Sequence, residues 1–325
     1  MAKVIWRKVK GKEYAYLEES LRIGDKIKKI STYLGPKDKI TDKIISEAKV
    51  KMEDGLLDRK VDLKLKQVKD NVLHLEYPLT LEEVRKIEKM NFKYKKIIQK
   101  LHPKDKEDLY KRFIANYVFE SNALEGNSLT LKNVAEILFD KRMSKDKDLR
   151  EIYDAQNSYA LFKKLLRTEK DISHEFIISI HKQLMNKIDD RLGYRTVPII
   201  LLGKPRTELA SPEQVPIEMN KLLIWYEENK NKSYPLELAF KFHAKFEKIH
   251  PFCDGNGRAG RFMLNYILIK DGYFPIIIRK THRNTYLKAL EAADRDKWIV
   301  LMRFALIHYK DTFRKFFEIY YQYAK

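Results

Sequence analysis

A chain of 325 residues, 44% of them hydrophobic, is long enough for two domains and a sizeable buried core, which excludes a disordered chain. One cysteine excludes an internal disulfide framework; with no charged-then-apolar leader and no apolar run near about 18 residues, a soluble protein of a reducing cytoplasm is the expectation, with no membrane partner. The net charge of +20 admits nucleic acid, an anionic membrane or acidic proteins, but with 34% of residues charged a solvated Lys/Glu surface is the preferred reading.

The chain begins with a β-flavoured head. Residues 14–34 alternate apolar and polar side chains around Gly24-Asp25, which predicts a hairpin. Residues 1–40 hold 11 Lys or Arg against 5 Asp or Glu. That excess could face phosphate, yet the sequence shows no aromatic stacking pattern, and solvated edge-strand lysines explain it equally well. Lysine-rich helical patterns follow at 38–53 and 56–70, with a short strand expected over 72–77.

From Leu81 onward apolar residues recur at helical spacing, broken at 102–103, 126–127, 193–212, 234–235, 250–255 and 272–275. The expected division is therefore a basic α+β domain over 1–80 and a helical domain over 81–325. Residues 194–202, YRTVPIILL, are β-branched and apolar before Gly203-Lys204-Pro205, and predict a small hairpin on the helical scaffold. The aromatic tail from Phe313 reads as an amphipathic helix packed on the bundle.

The chemistry concentrates in His250-Pro251-Phe252-Cys253-Asp254-Gly255-Asn256-Gly257-Arg258-Ala259-Gly260-Arg261. A helix over 235–249, with Leu238, Phe242, Phe246 and Ile249 on its buried face, delivers His250 at its end. A second helix starts near Asn256 or Gly257. Between them, Gly255 and Gly257 permit positive φ and close backbone approach, so exposed amides at a helix N-terminus can bind phosphate. Asp254 suits Mg²⁺ bridging a polyphosphate, Arg258 and Arg261 can neutralise outer phosphates, and His250 can accept a proton from an attacking hydroxyl. Taken singly, His250 reads as a helix-end histidine, Asn256 as a helix cap and each glycine as a turn residue. Their joint spacing points to a nucleophile attacking a metal-bound phosphate ester.

These twelve residues resemble the Fic motif HPFx[D/E]GNGRxxR at every defining position, and the resemblance extends in helix order over roughly 80–310. It implies a mainly α, Fic-type helical bundle with a small β-hairpin flap, and AMP transfer from ATP to a protein hydroxyl with release of pyrophosphate. The implied roles are general base for His250, loop anchor for Phe252 and Mg²⁺ ligand for Asp254. Asn256 and the amides around Gly255 and Gly257 would hold the α- and β-phosphates, with Arg258 on the phosphates and Arg261 on the γ-phosphate. The intact glycines favour nucleotidyl transfer over the kinase-like Doc branch.

Ser121-Asn122-Ala123-Leu124-Glu125-Gly126 is similar to the family's inhibitory pattern [S/T]xxxE[G/N], which implies an inhibitory helix over 110–126 with Glu125 pairing Arg261 in place of the γ-phosphate. The alternative is a plain helix end with Gly126 as its cap. In the flap, the backbone of Val197, Pro198, Ile199 and Ile200 is implied to align a target segment as an added strand. Tyr286 falls where family members often line the nucleotide pocket, but its spacing favours the core. His243 and Glu247 read as a polar helix face rather than a metal site, and Cys253 as a tolerated loop residue rather than a nucleophile. Partners implied are ATP, a protein target that includes the chain itself, and a second copy in a homo-oligomer. The rival functions are AMP removal, with Glu125 orienting water, and a nucleotide-gated switch binding nucleic acid or protein.

Overall fold

The computed structural model describes residues 2–23, 26–72, 75, 77–140, 147–199 and 209–323. It opens with three strands, β1 (Lys3–Val9), β2 (Lys12–Ile23) and β3 (Lys26–Pro36), in one antiparallel sheet of order β1-β2-β3. The expected hairpin is the β2/β3 pair, whose turn at 24–25 lies outside the described residues. Strand β1 was not anticipated. It joins β2 through Lys10-Gly11, with φ of 49° and 80°, between the paired residues Val9 and Lys12. Two consecutive positive φ values match the twist of a two-residue hairpin, and glycine carries its half without steric cost.

The helix α1 (Asp42–Asn71) is continuous, where the sequence predicted two. Thr41 caps it by accepting from the Ile44 amide at 3.4 Å, and Gly55, which reads as a break, sits inside it without a positive φ. Its first half covers the sheet in a small cluster of Leu17, Ile30, Met52 and Leu56. Its second half contributes Val61, Leu65 and Val68 to the main core. The strand expected over 72–77 is not formed at Val72, Leu75 or Tyr77, and its other residues lie outside the described set.

The outer sheet face also corrects the sequence reading. Tyr33 lies opposite Tyr16, so Tyr14, Tyr16 and Tyr33 gather with centroids 6.1 and 5.4 Å apart and the Arg7 guanidinium 4.7 Å from Tyr16. Strand register assembles this group from positions that are dispersed along the chain.

The remaining helices are α2 (Leu81–Lys100), α3 (Pro103–Leu124), α4 (Leu131–Ala135), α5 (Leu149–Leu165), α6 (His174–Leu184), α7 (Val215–Asn229), α8 (Pro235–Ile249), α9 (Asn256–Lys270), α10 (Arg283–Asp294), α11 (Trp298–Thr312) and α12 (Glu318–Tyr323). Their ends fall where Pro and Gly punctuate the sequence: Pro103 and Pro235 occupy first turns, while Gly126 and Gly272 follow last ones. Together they form a mainly helical bundle on one core, with α9 at its centre, buried along almost its whole length. The aromatic tail packs on the bundle as expected, Phe317 lying 4.9 Å from Tyr94 of α2. Among the described residues no helix is long and apolar enough to cross a membrane.

Candidate active site

Helix α8 buries Leu238, Phe242, Phe246 and Ile249, and ends where His250 turns left-handed at φ 53°, ψ 62°. A non-glycine residue in that region costs about 1–3 kcal/mol and persists only where its surroundings enforce it. Here they do. The Arg195 guanidinium Nε–H donates to the His250 carbonyl at 2.9 Å, and the Arg195 amide donates to the Pro251 carbonyl at 2.8 Å. His250 Nδ1 meets the Glu247 carbonyl at 3.3 Å. A carbonyl can only accept, so Nδ1 carries the proton and Nε2 carries the lone pair.

Phe252 is fully buried and stacks on His181 of α6, centroids 3.8 Å apart with the rings 9° from parallel. Asn256 clasps the loop from inside: its Oδ1 accepts from the Phe252 amide and its Nδ2 donates to the Phe252 carbonyl, both at 2.8 Å. That side chain is engaged with the loop's own backbone, so it supports the cradle rather than facing into it. His181 Nδ1 accepts from the Gly193 amide at 3.3 Å and Nε2 donates to the Asp254 carbonyl at 3.1 Å. Burial holds its pKa down to about 4, which keeps it neutral and in that tautomer.

Gly255, at φ 77°, begins α9, and the first-turn amides of Asn256, Gly257 and Arg258 have no intrahelical acceptor. Such a helix terminus can bind an anion. Around it stand three arginines. Arg258 is buried against Asp154 and Met185. Burial pushes the Asp154 carboxyl up, against the pull of Arg258. Arg261 turns the other way and donates to the Ser121 hydroxyl and carbonyl, each at 2.9 Å, and to Glu125 at 2.8 Å. The two arginines thus engage different partners on either side of the cradle. The third, Arg150 of α5, pairs with Asp254, whose other oxygen lies 3.5 Å from Arg258.

Helix α3 presents Glu125. Gly126, at φ 100°, donates to the Ala123 carbonyl and Asn127 to the Asn122 carbonyl, both at 3.2 Å, a glycine-terminated end that leaves Glu125 as the capping residue. A carboxylate there faces the negative end of the helix dipole. Burial opposes its ionisation as well, but the Arg261 charge and hydrogen bond outweigh it and hold the Glu125 pKa below the ordinary carboxylate value. The carboxylate sits directly over Gly257, where a Cβ would overlap it. Glu120 on the same helix accepts from the Lys280 amide at 2.8 Å, and Arg283 donates to the Leu124 carbonyl at 3.0 Å, which pins this helix end.

The structure therefore gathers Ser121, Glu125, His250, Asp254, Gly255, Asn256, Gly257, Arg258 and Arg261 at one place, with Gly126 shaping the approach. It does not place Val197, Pro198 and Ile199 in a strand: they follow Arg195 in an irregular segment. Ile200 and the rest of the expected hairpin lie outside the described residues. Tyr286 is buried and bonds His243 Nε2 at 2.6 Å, the core placement its spacing favoured. The polar face formed by His243 and Glu247 turns inward, His243 buried and Glu247 half-buried where α8 crosses Gly260 of α9. Cys253 is half-buried in the loop. Sequence reasoning missed Arg150, Asp154, His181 and Arg195, which carry no local pattern and reach the loop from 55 to 104 residues away.

Mg²⁺ is held by one or two carboxylates together with substrate phosphates, and here one carboxylate stands beside amides and arginines suited to binding those phosphates. Asp254 is the residue that would hold it.

Comparison with known proteins agrees with this geometry. Residues 171–268 match the family model described as Fic/DOC family. The protein adenylyltransferase Fic of Nematostella vectensis is 28% identical over 195 residues, 58% of this chain and 45% of that protein. The protein adenylyltransferase fic-1 of Caenorhabditis elegans is 28% identical over 207 residues, 62% of this chain and 40% of that protein. The chain thus spans less than half the length of these curated relatives. Among solved structures, a Fic domain containing signaling protein from Bacteroides thetaiotaomicron shares the fold with a TM-score of 0.65, covering 73% of this chain and 96% of that one at 23% identity. A Fic family protein from Desulfovibrio desulfuricans has a TM-score of 0.56 at 26% identity, covering 74% of this chain and 76% of that one. The loop entering α9 and the helices that hold it fall within residues 171–268, the segment similar to the Fic/DOC family.

Proposed function

We propose that the chain is an auto-inhibited protein adenylyltransferase, transferring AMP from ATP to a Ser, Thr or Tyr hydroxyl of a protein, itself included. The observation that carries this reading is the α9 terminus. The first-turn amides of α9 lie between Arg258 and Arg261, and His250 stands at the loop's other end with its Nδ1 turned to the Glu247 carbonyl.

In the forward reaction His250 Nε2 takes the proton of the target hydroxyl. The hydroxyl oxygen bonds to the α-phosphorus as the bond from that phosphorus to the bridging oxygen breaks, and pyrophosphate leaves. The amides of Asn256 to Arg258 and the two arginines bind the phosphates and stabilise the charge that builds on them. Mg²⁺ held by Asp254 would neutralise phosphate charge when bound. Arg150 must then release Asp254.

Glu125 supplies the inhibition. Its carboxylate covers Gly257 and takes the Arg261 guanidinium that a γ-phosphate requires, so ATP is refused its productive pose. The same seat suits a carboxylate that orients water, which is the basis for AMP removal as the second reading.

The test is transfer of label from α-labelled ATP with Mg²⁺ to the chain and to a cell lysate. Glu125→Gly is expected to raise labelling at least about tenfold, the scale of losing one charge-assisted contact, and Glu125→Gly with His250→Ala to abolish it. Absence of label in every form, together with release of AMP from an AMP-modified protein by the wild type alone, would overturn transfer in favour of removal.

A further inference from the structure

A second cavity lies away from the Fic loop, where the C-terminal turns of α2 and α5 meet the first half of α3 and the turn after α9. Its volume is about 690 Å³, within the roughly 300–1,000 Å³ range of small-molecule sites. None of its lining residues belongs to the site described above.

Its charge is one-sided. Lys95, Lys106, Lys111, Lys163 and Arg167 line it against a single carboxylate, Glu107. Among the described residues none of the five forms an ion pair with a carboxylate. Other lysines of the same helices do: Lys86 and Lys89 on α2 pair with Glu83 and Asp58, and Lys270 on α9 pairs with Asp171. In a chain so rich in Lys–Glu contacts, five cations around one cavity with a single carboxylate in its lining leave an excess of positive charge, which a multivalent anion relieves.

The walls supply the rest of a binding site. Tyr94 and Tyr110 share a hydrogen bond of 2.6 Å between their hydroxyls, and burial raises both pKa values, so both stay protonated; one proton is spent in their mutual bond and the other can be donated to a ligand. Ile98, Ile114, Leu166 and Ile269 form an apolar side, and the Tyr159 ring lies 5.7 Å from the Lys163 ammonium. Cations, hydroxyl donors and an apolar wall in one cavity match a phosphate-bearing small molecule better than a simple counter-ion.

We propose that this cavity is a binding site for a small polyphosphate anion, separate from the Fic nucleotide site. The anion comes either from a nucleotide, whose ring would lie on the apolar side, or from a free polyphosphate.

Titration calorimetry of the full chain with tripolyphosphate tests it, comparing wild type with Lys106→Glu/Lys163→Glu/Arg167→Glu. These three positions leave the Fic loop untouched. Lys106→Gln/Lys163→Gln/Arg167→Gln serves as the variant that neutralises without reversing charge, should the first misfold. The expected result is a loss of tripolyphosphate affinity on the order of tenfold or more in either variant, and a steep fall for wild type between about 50 and 300 mM salt. Competition by ADP for the lost site assigns a nucleotide as the source; tripolyphosphate binding that ADP leaves untouched assigns a free polyphosphate. Affinity unchanged in the neutralised variant, or no tripolyphosphate binding by wild type at low salt, overturns the proposal.

Discussion

The Fic loop and the N-terminal sheet both carry dense charge, and they hold it in opposite ways. At the loop, Arg258 and Arg261 have side chains only 4% and 3% exposed, and their contacts run to Asp154, Ser121 and Glu125 through desolvated space. On the sheet, Arg7 and Lys29 share Glu18, and Lys37 pairs with Glu13, with the basic side chains 48%, 71% and 57% exposed. Removing a partner from a buried charge leaves it uncompensated, whereas water and salt replace a surface partner at little cost. Glu125 stands between these cases: its side chain is 41% exposed, so it reaches a buried arginine from the solvent side. A contact of that kind is strong while made and open to displacement by a competing anion.

The sharpest way to break this contrast is to remove the loop's inner clasp. Asn256→Ala leaves the buried amide and carbonyl of Phe252 without partners, at about 1–3 kcal/mol each. Thermal unfolding should show a drop of several degrees, and labelling by a Glu125→Gly background should fall to that of His250→Ala. An unchanged melting temperature would mean that the loop holds its shape without the clasp.

Acid offers a second route, because the eight histidines all lie outside residues 1–40. In the bundle, burial holds His308 down to about 4 and His243 to about 3, from an ordinary 6.5. Such groups favour the neutral form in the fold. Their stability is fully present above pH 6.5 and is lost as pH falls toward the folded value, by about 3 kcal/mol for His308. Urea unfolding followed from pH 7 to pH 4 should show this fall. His308→Phe, which keeps a ring against Phe304, should flatten it; an equal slope in both proteins would assign the acid sensitivity elsewhere.

A smaller effect is expected at the crossing of α8 and α9. A Cβ on Gly260 would lie 2.6 Å from Glu247 Oε1 and 2.7 Å from His243 Nδ1, so Gly260→Ala should cost about 1–3 kcal/mol in denaturant unfolding. The smallest belongs to the sheet. Arg7→Ala should change stability by less than about 1 kcal/mol, a difference that vanishes in high salt. A larger, salt-resistant loss there would erase the distinction between the two regions.

The legible parts of this molecule are those with short-range causes. The ends of α3, α8 and α9 were visible because Pro103, Pro235, Gly126 and Gly255 act on their own turns. The loop was visible because its candidate donors, base and carboxylate lie within twelve consecutive residues. Gly55 misled, since a glycine inside a long helix looks the same as one that ends it until neighbouring elements pack on both halves. The irregular backbone of Val197 to Ile199 ran against a β-branched composition; Arg195 draws the start of that segment onto the His250 and Pro251 carbonyls instead.

By itself the sequence determined the helical class of the body and marked residues 250–261 as candidate phosphate binders, and local propensity, turn chemistry and residue spacing were enough for these. The candidate pairing of Glu125 with Arg261 came from the resemblance of Ser121 to Gly126 to an inhibitory pattern. Only the tertiary structure decided that Asn256 faces inward, that Asp154 and Arg150 meet Arg258 and Asp254, that His181 stacks under Phe252, and that five cations share a cavity at the other end of α3. Such contacts join residues tens to more than a hundred positions apart, and packing brings them together without leaving a local pattern in the chain.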